Sequence, residues 1–493
     1  MIRQHLPILQ VVIPLLSAPL SVLLHKRWLV WGLTVLASTC AFIISILLLQ
    51  QVLASGVISY MLGDWAAPWG IEYRIDVVNA FVLVIISGIG AVVPLYAARS
   101  VEREITADRI PLFYTAYLLC LAGLLGIAAT GDAFNVFVFL EISSLSSYIL
   151  ISLGNDRRAL TASYQYLIMG TIGATFILIG IGLAYMMTGT LNMMDLARRI
   201  PHVADTRTIR AALAFLTVGI SLKLALFPLH LWLPNAYAYA PSTVTAFLAA
   251  TATKVAIYLL LRFLFTIFGE VLSFEEMILH FILLPLSLVA VFSASIVAIF
   301  QDNLKRMLAY SSVAQIGYII LGISFVSVTG LKAGILHLFN HALMKGALFL
   351  ALGCVAYRLG SVQLRDIAGL GRRMPWTFAA IIIGGLSLIG VPLTVGFISK
   401  WYLVLAALEG QLWWVAVLVL VGSLLAVAYV WRVVEAAFFQ PPPQRAAQYQ
   451  EAPLSLLIPT WILIAANIYF GIDAERTAAI AQRAAEWLLQ GTL

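Results

Sequence analysis

The sequence predicts an all-α polytopic membrane protein of about fourteen transmembrane helices. Three observations carry that prediction. Of 493 residues, 62% are hydrophobic and only 10% are charged, a balance no soluble domain of this size could bury. The apolar residues fall into runs of about 20, the length that spans a bilayer. Two of those runs are interrupted by proline, and each carries a lysine: Pro228 with Lys223, and Pro392 with Lys400.

Taken in order, the runs place helices near 6–24, 28–50, 76–98, 110–130, 132–153, 162–188, 211–231, 243–267, 279–300, 306–326, 333–357, 376–407, 412–437 and 454–471. The first run has no small-residue cleavage site and is expected to be a retained helix. Asp76, Asp132 and Asp302 stand at helix starts, where a carboxylate favours the helix dipole, so capping is their expected role. The first three helices look plain, with few polar groups at mid-membrane depth. Arg262 and Arg432, near helix ends, are expected to snorkel to the interface. The Pro/Gln-rich stretch 438–453 is expected to be a linker, and DAERTAAIAQRAAEWLLQ a short amphipathic surface helix.

Basic residues orient the chain. Odd-numbered loops carry 14 of them, Lys305 included, against 9 in even loops and termini. This predicts odd loops in the cytoplasm and both termini outside a plasma (inner) membrane. The formal net charge of +7 therefore reports topology rather than nucleic-acid binding. Cys40, Cys120 and Cys354 lie far apart in apolar runs, with no metal, cluster or disulfide spacing, so no cofactor is expected.

The two interrupted helices, seventh and twelfth, stand five helices apart. That suggests two five-helix repeats, residues 110–267 and 279–437, preceded by an N-terminal segment 1–109 and followed by 438–493. An odd number of helices per repeat inverts the second copy relative to the first. The plainer alternative is a pair of unrelated proline kinks.

A cation in hydrocarbon costs at least ~2.5–3.5 kcal/mol, so buried lysines call for a use or a partner. Glu141 stands mid-helix with Asn135, Ser144 and Tyr148 on or beside its face, and a Glu141–Lys223 pair would set two titratable groups in mutual control. Lysine suits proton exchange because it can lose its charge when desolvated, whereas arginine keeps it. Lys254 lies in the middle of the eighth run. His337, His341 and Lys345 follow at steps of four, a row suited to a proton path from Lys254 towards Lys400. The same histidines could bind zinc, but no acidic third ligand is near, and they could also be structural. His230, beside the seventh break, is either a proton entry point or a packing residue. Sodium would want several oxygen ligands, and no such cluster is readable.

At these residues the chain resembles the antiporter-like membrane subunits shared by respiratory complex I, membrane-bound hydrogenases and Mrp-type sodium/proton antiporters. The resemblance rests on IDVVNAF, GDAFNVFVFLE, LKLALFPLHLWLPNAY, DNLKRMLAYSSVAQIGY, HLFNHALMKGALFL and GVPLTVGFISKW, and it spans nearly the whole chain. It implies fourteen helices with inverted repeats, a coupling pair Glu141–Lys223, a central relay Lys254, a bridging row His337–His341–Lys345 and a terminal Lys400. The short tail sets it apart from the largest subunits of complex I and of Mrp antiporters, and Lys400 from the complex I subunit with a glutamate there, while TATKVAIY with Lys254 and the chain length look most like the D-type subunit of Mrp antiporters. The expected function is then proton translocation within a hetero-oligomeric cation/proton antiporter, with other membrane subunits as partners. The alternatives are a pump subunit of a redox complex, a subunit of an inorganic-carbon uptake assembly, and a scaffold that transports nothing.

Overall fold

The computed structural model describes residues 2–24, 26–442 and 449–490. The middle of the expected linker, 443–448, lies outside them. Among the described residues, twelve helices are long and apolar enough to cross a membrane. Two more crossings are built from half-helices, so the chain threads the bilayer fourteen times.

The first three crossings are α1 (Leu6–Leu23), α2 (Arg27–Ser55) and α3 (Val77–Glu104). Between α2 and α3 the long early loop forms an antiparallel hairpin, β1 (Ile58–Met61) with β2 (Glu72–Ile75), which apolar-run counting did not find. Nor are these helices plain. Gln10 donates to Ser45 at 2.7 Å and Ser87 to Ser45 at 2.8 Å, a buried polar link joining all three. Such bonds hold membrane helices together where no hydrophobic difference drives their contact.

The first repeat comprises α4 (Ile110–Ala129), α5 (Ala133–Ser152), α6 (Arg157–Thr188), a short α7 (Met193–Arg199), the split pair α8 (Arg207–Leu224) and α9 (Trp232–Tyr239), and α10 (Ser242–Leu261). The second comprises α11 (Leu279–Ile299), α12 (Leu304–Ser324), α13 (Val328–Leu359), the split pair α14 (Pro375–Ile389) and α15 (Val395–Glu409), and α16 (Trp413–Phe439). Both show the same construction in detail. The third helix of each is 32 residues long and ends on a left-handed glycine, Gly189 or Gly360. The chain then returns to bridge the start of that repeat's second helix, Asp132 with Asn192 and Asn303 with Gln363. The backbone bonds Ala133 N to Leu191 O (2.8 Å) and Leu304 N to Val362 O (2.9 Å) occupy equivalent places. Counting crossings puts the first bridge on the face carrying the chain termini and the second on the opposite face, which is the inversion.

The chain closes with α17 (Leu454–Ile472) and α18 (Glu475–Gln490). α18 is amphipathic, and its Ala481, Ala484 and Leu488 side packs down onto α13 and α3 at the terminal face.

Three expectations about single residues change. Arg262 does not snorkel: it is 4% exposed and bonds Asp76 at 2.8 Å, because Asp76 at the start of α3 offers a carboxylate at the same depth. Asp76 caps α3 as well, accepting from the Val78 and Asn79 backbones. Asp302 is not the cap of α12. Asn303 fills that role, accepting from Arg306 N at 3.0 Å, while Asp302 pairs with Arg432 at 3.1 Å. Lys305, counted as a loop residue, stands in the first turn of α12 and is 5% exposed.

Candidate proton path

The first half of the site is built by the α8–α9 break. α8 stops where Ala225 takes a left-handed backbone, and Pro228, which has no N–H to donate, sits in the turn before α9 restarts. The orphaned carbonyls are recovered locally, Leu226 N donating to Ser221 O at 3.0 Å and the Trp232 indole to Leu222 O at 3.0 Å. Lys223 lies in the last turn of α8, where the helix dipole favours a cation. Its Nζ donates to Ser144 Oγ of α5 at 2.8 Å.

Glu141 stands one turn before Ser144. Among the described residues Glu141 and Lys223 are not within ion-pair distance, so the direct pair expected from the sequence is replaced by a lysine–serine contact beside a half-buried carboxylate. Ser144 projects on the Lys223 side, while Glu141, one turn earlier, is half-buried and close enough to bear electrostatically on Lys223. A cavity of about 30 Å³ lies between Lys223, Ser143, Ser144 and Ser147 on one side and Ala252, Val255 and Ala256 of α10 on the other. One water needs ~10–15 Å³ of such space, so it holds about two. Those α10 residues flank Lys254, which is fully buried and donates to Ala249 O at 2.5 Å.

Gly170 of α6 makes this corner possible. A methyl there would lie 2.0 Å from the Tyr148 hydroxyl and 3.4 Å from Lys223 Nζ. Tyr148 cannot retreat easily, since its ring meets Tyr166 edge-on at 4.8 Å and Tyr166 stacks on Trp232 at 4.0 Å.

The second half centres on α13. His337 and His341 stack with centroids 6.2 Å apart. The His337 Nε2–H donates to Gln315 Oε1 at 2.9 Å, which leaves Nδ1 to accept from Ser399 Oγ at 2.8 Å. Both His337 nitrogens are thus engaged in hydrogen bonds. His341 is fully buried, and neither of its ring nitrogens has a hydrogen-bond partner among the described residues. Lys345 donates to Leu308 O at 2.8 Å and to the Ser311 hydroxyl.

Lys400 follows Ser399 on α15, just past the second break. Gly390 and Leu393 adopt left-handed backbones there, with Pro392 between them. The Lys400 side chain turns back into the break, donating to Leu388 O (2.8 Å) and Ile389 O (3.0 Å), the free carbonyls at the end of α14. Ser423 Oγ accepts at 2.9 Å and the Tyr318 ring lies 4.8 Å away. A side chain at Gly390 would come within 3.0 Å of Lys400 Cδ. The two breaks therefore use their lysines differently: Lys223 precedes its gap and points away to α5, while Lys400 follows its gap and fills it.

A water-sized cavity lies between Lys223 and the side of α10 formed by Ala252, Val255 and Ala256, and Lys254 does not line it. The structure joins Ser399 to His337 by a hydrogen bond and stacks His337 on His341, while Lys400, next to Ser399 in the chain, bonds the α14 carbonyls and Ser423. It places His230 apart, stacked on Phe227 at 5.3 Å and edge-on to Tyr310, with Nδ1 buried and unpartnered among the described residues. Ser311, Gln315, Tyr318 and Ser399 were missed from sequence, and Ser144 was noted only as part of the polar stripe around Glu141. Three of those four had a signal, since Ser311, Gln315 and Tyr318 recur on one face of α12 at steps of four and three.

Comparison with known proteins bears on this arrangement. A family model described as "NADH:quinone oxidoreductase/Mrp antiporter, TM" matches residues 130–426, from the α4–α5 junction into α16. The chain is 39% identical to the N-type subunit of the NADH-quinone oxidoreductase of Desulforudis audaxviator, over 98% of this chain and 99% of that one. It is 30% identical to the D-type subunit of the Na(+)/H(+) antiporter of Alkalihalophilus pseudofirmus, over 99% and 98%. Its fold matches a chain of the Mrp complex from Dietzia sp. DQ12-45-1b with a TM-score of 0.90 at 24% identity, covering 99% of this chain and 98% of that one. With fourteen crossings, two inverted repeats and a lysine at each helix break, the chain belongs to the NADH:quinone oxidoreductase/Mrp antiporter transmembrane family.

Proposed function

We propose that this chain carries protons across the membrane as one subunit of a multisubunit monovalent cation/proton antiporter in the plasma membrane. Its odd loops would face the cytoplasm and both termini the outside. The path runs from Glu141 through Ser144 to Lys223, past the small cavity and α10 to Lys254, then along Lys345, His341 and His337 to Lys400. His230 is assigned to proton entry at the first break.

The observation that carries this reading is the set of four lysines buried at mid-membrane depth with no carboxylate in ion-pair contact among the described residues. A fixed charge so placed is costly, and a buried pair with good partners would have served structure better. A lysine that alternately binds and releases a proton carries that cost only part of the time. Loss of the charge at one lysine relieves repulsion at the next, which lets successive protonations pass along the row. The membrane potential adds ~2.3 kcal/mol per charge per 100 mV to such steps.

Lys223→Ala should abolish cation-driven proton flux in vesicles carrying the assembled complex, with assembly unchanged. Normal flux from an assembled variant would refute the path. A second reading, favoured by the 39% identity to an NADH-quinone oxidoreductase subunit, gives the same row a redox driving force. Identifying the subunits that copurify with the native complex separates the two: flavin or iron–sulfur chains support the second reading, and small hydrophobic chains alone support the first.

A further inference from the structure

On the face opposite the chain termini, the end of α3, the α5–α6 loop, the α9–α10 junction, the start of α12 and the end of α13 surround an open polar cavity of about 580 Å³. Lys305 lies at its floor, 5% exposed, with its Nζ donating to Ala240 O at 3.0 Å. The charged and titratable groups around it are Arg103 and Glu104 on α3, Asp156 and Arg158 in the loop, Tyr239 on α9, and Tyr357 and Arg358 on α13. None neutralises Lys305 by direct contact. Glu104 is the carboxylate on the same wall, but its oxygens are taken by Ser100 (2.9 Å) and by the Ser242 backbone N–H and hydroxyl (2.7 and 3.1 Å). Asp156 is held by Arg158 at 2.7 Å.

Inward from Lys305, α12 carries further polar groups. Its next turn presents Leu308 O, which accepts from Lys345, and the turn after presents the Ser311 hydroxyl to the same ammonium. Gln315 then holds His337 and Tyr318 lies under Lys400. The step from Lys305 to Leu308 is three residues, a rise of ~4.5 Å. α12 thus carries a lysine at the wet opening of one membrane face and, further in, the groups that hold the buried row, and that lysine is one the row's own spacing did not include.

We infer that Lys305 is the proton-loading residue of this face, taking protons from water in the cavity and passing them inward to Lys345; this rests on the proton-carrying reading above. In the first step a hydrated proton adds to the neutral amine of Lys305, and water is released. In the second an N–H bond of Lys305 breaks as a water molecule takes the proton and becomes a hydronium, and that proton is then delivered to the neutral amine of Lys345, which the Ser311 hydroxyl holds, the water being restored. No electrons are exchanged.

The competing role is a tether: Lys305 pins the start of α12 to the end of α9. Lys305→Arg separates the two, because arginine keeps the charge and the carbonyl contact but does not release its proton. In vesicles carrying the full complex, K305R should assemble normally and lose at least tenfold in proton flux, with K223A as the inactive control. Wild-type flux in K305R beside an inactive K223A overturns the loading role and leaves the path standing. Wild-type flux in both overturns the path itself. Should K305R not assemble, K305H provides the readout: loading through an imidazole should move the half-maximal pH on this face down by more than one unit, and an unchanged profile refutes the inference.

Discussion

The buried pair of Asp76 and Arg262 offers a quantitative test of how this bundle holds charge. The two side chains are 1% and 5% exposed and 2.8 Å apart, at the terminal face between α3 and the end of α10. Removing one partner of such a pair costs about 3–5 kcal/mol, because the other charge stays buried alone. Asp76→Asn isolates that effect, since Asn retains the oxygen that accepts from the Val78 and Asn79 backbones. Arg262 would still have the Tyr258 and Thr266 hydroxyls, each at 3.3 Å, and the Tyr258 and Trp487 rings at 5.3 and 5.2 Å. These contacts place the expected loss at the lower end, about 3 kcal/mol, or roughly two orders of magnitude in the folding equilibrium. Equilibrium unfolding in mixed micelles, followed by circular dichroism, reads it. The double variant D76N/R262M should then lose at least ~1.5 kcal/mol less than the two single losses added together. Additivity within ~0.5 kcal/mol would refute the pair as a coupled unit.

Two other outcomes are expected. Gly170→Ala should cut proton flux at least tenfold while the complex still assembles, because the new methyl displaces Tyr148 from the Lys223 corner; flux measured in vesicles checks this, and full activity would show that the corner tolerates the shift. At the surface, the Arg158 guanidinium, and after it the Arg158 backbone N–H, hold the Asp156 carboxyl below its usual range. A folded value below the unfolded one stabilises at pH above ~4 and is lost on acidification. Because the pair is exposed, Asp156→Asn should leave neutral-pH stability nearly unchanged and flatten the acid limb slightly in a pH series of unfolding midpoints.

Much of this protein was legible before any tertiary structure. Helix positions followed from apolar run length, because a bilayer fixes the span and forces every backbone group to bond within it. The breaks at Pro228 and Pro392 were readable for the same reason: proline and glycine mark where that bonding fails. The inverted repeat followed from an odd helix count between matching breaks. The buried lysines announced themselves because a charge among apolar neighbours is rare and costly.

What the sequence could not decide was which side chains meet. Glu141 and Lys223 looked like partners because opposite charges attract, yet the rotation of α5 against α8 brings Ser144 to the lysine instead. Arg262 and Asp76 looked like unrelated helix-end residues until packing set them at one depth. Lys305 looked like a loop cation until α12 proved to start one residue before it. Run length and periodicity are properties of one helix, and they determined the fold class, the crossings and the row of candidate lysines. Partner choice depends on the relative rotation and depth of two helices distant in sequence, which only the packed bundle decides.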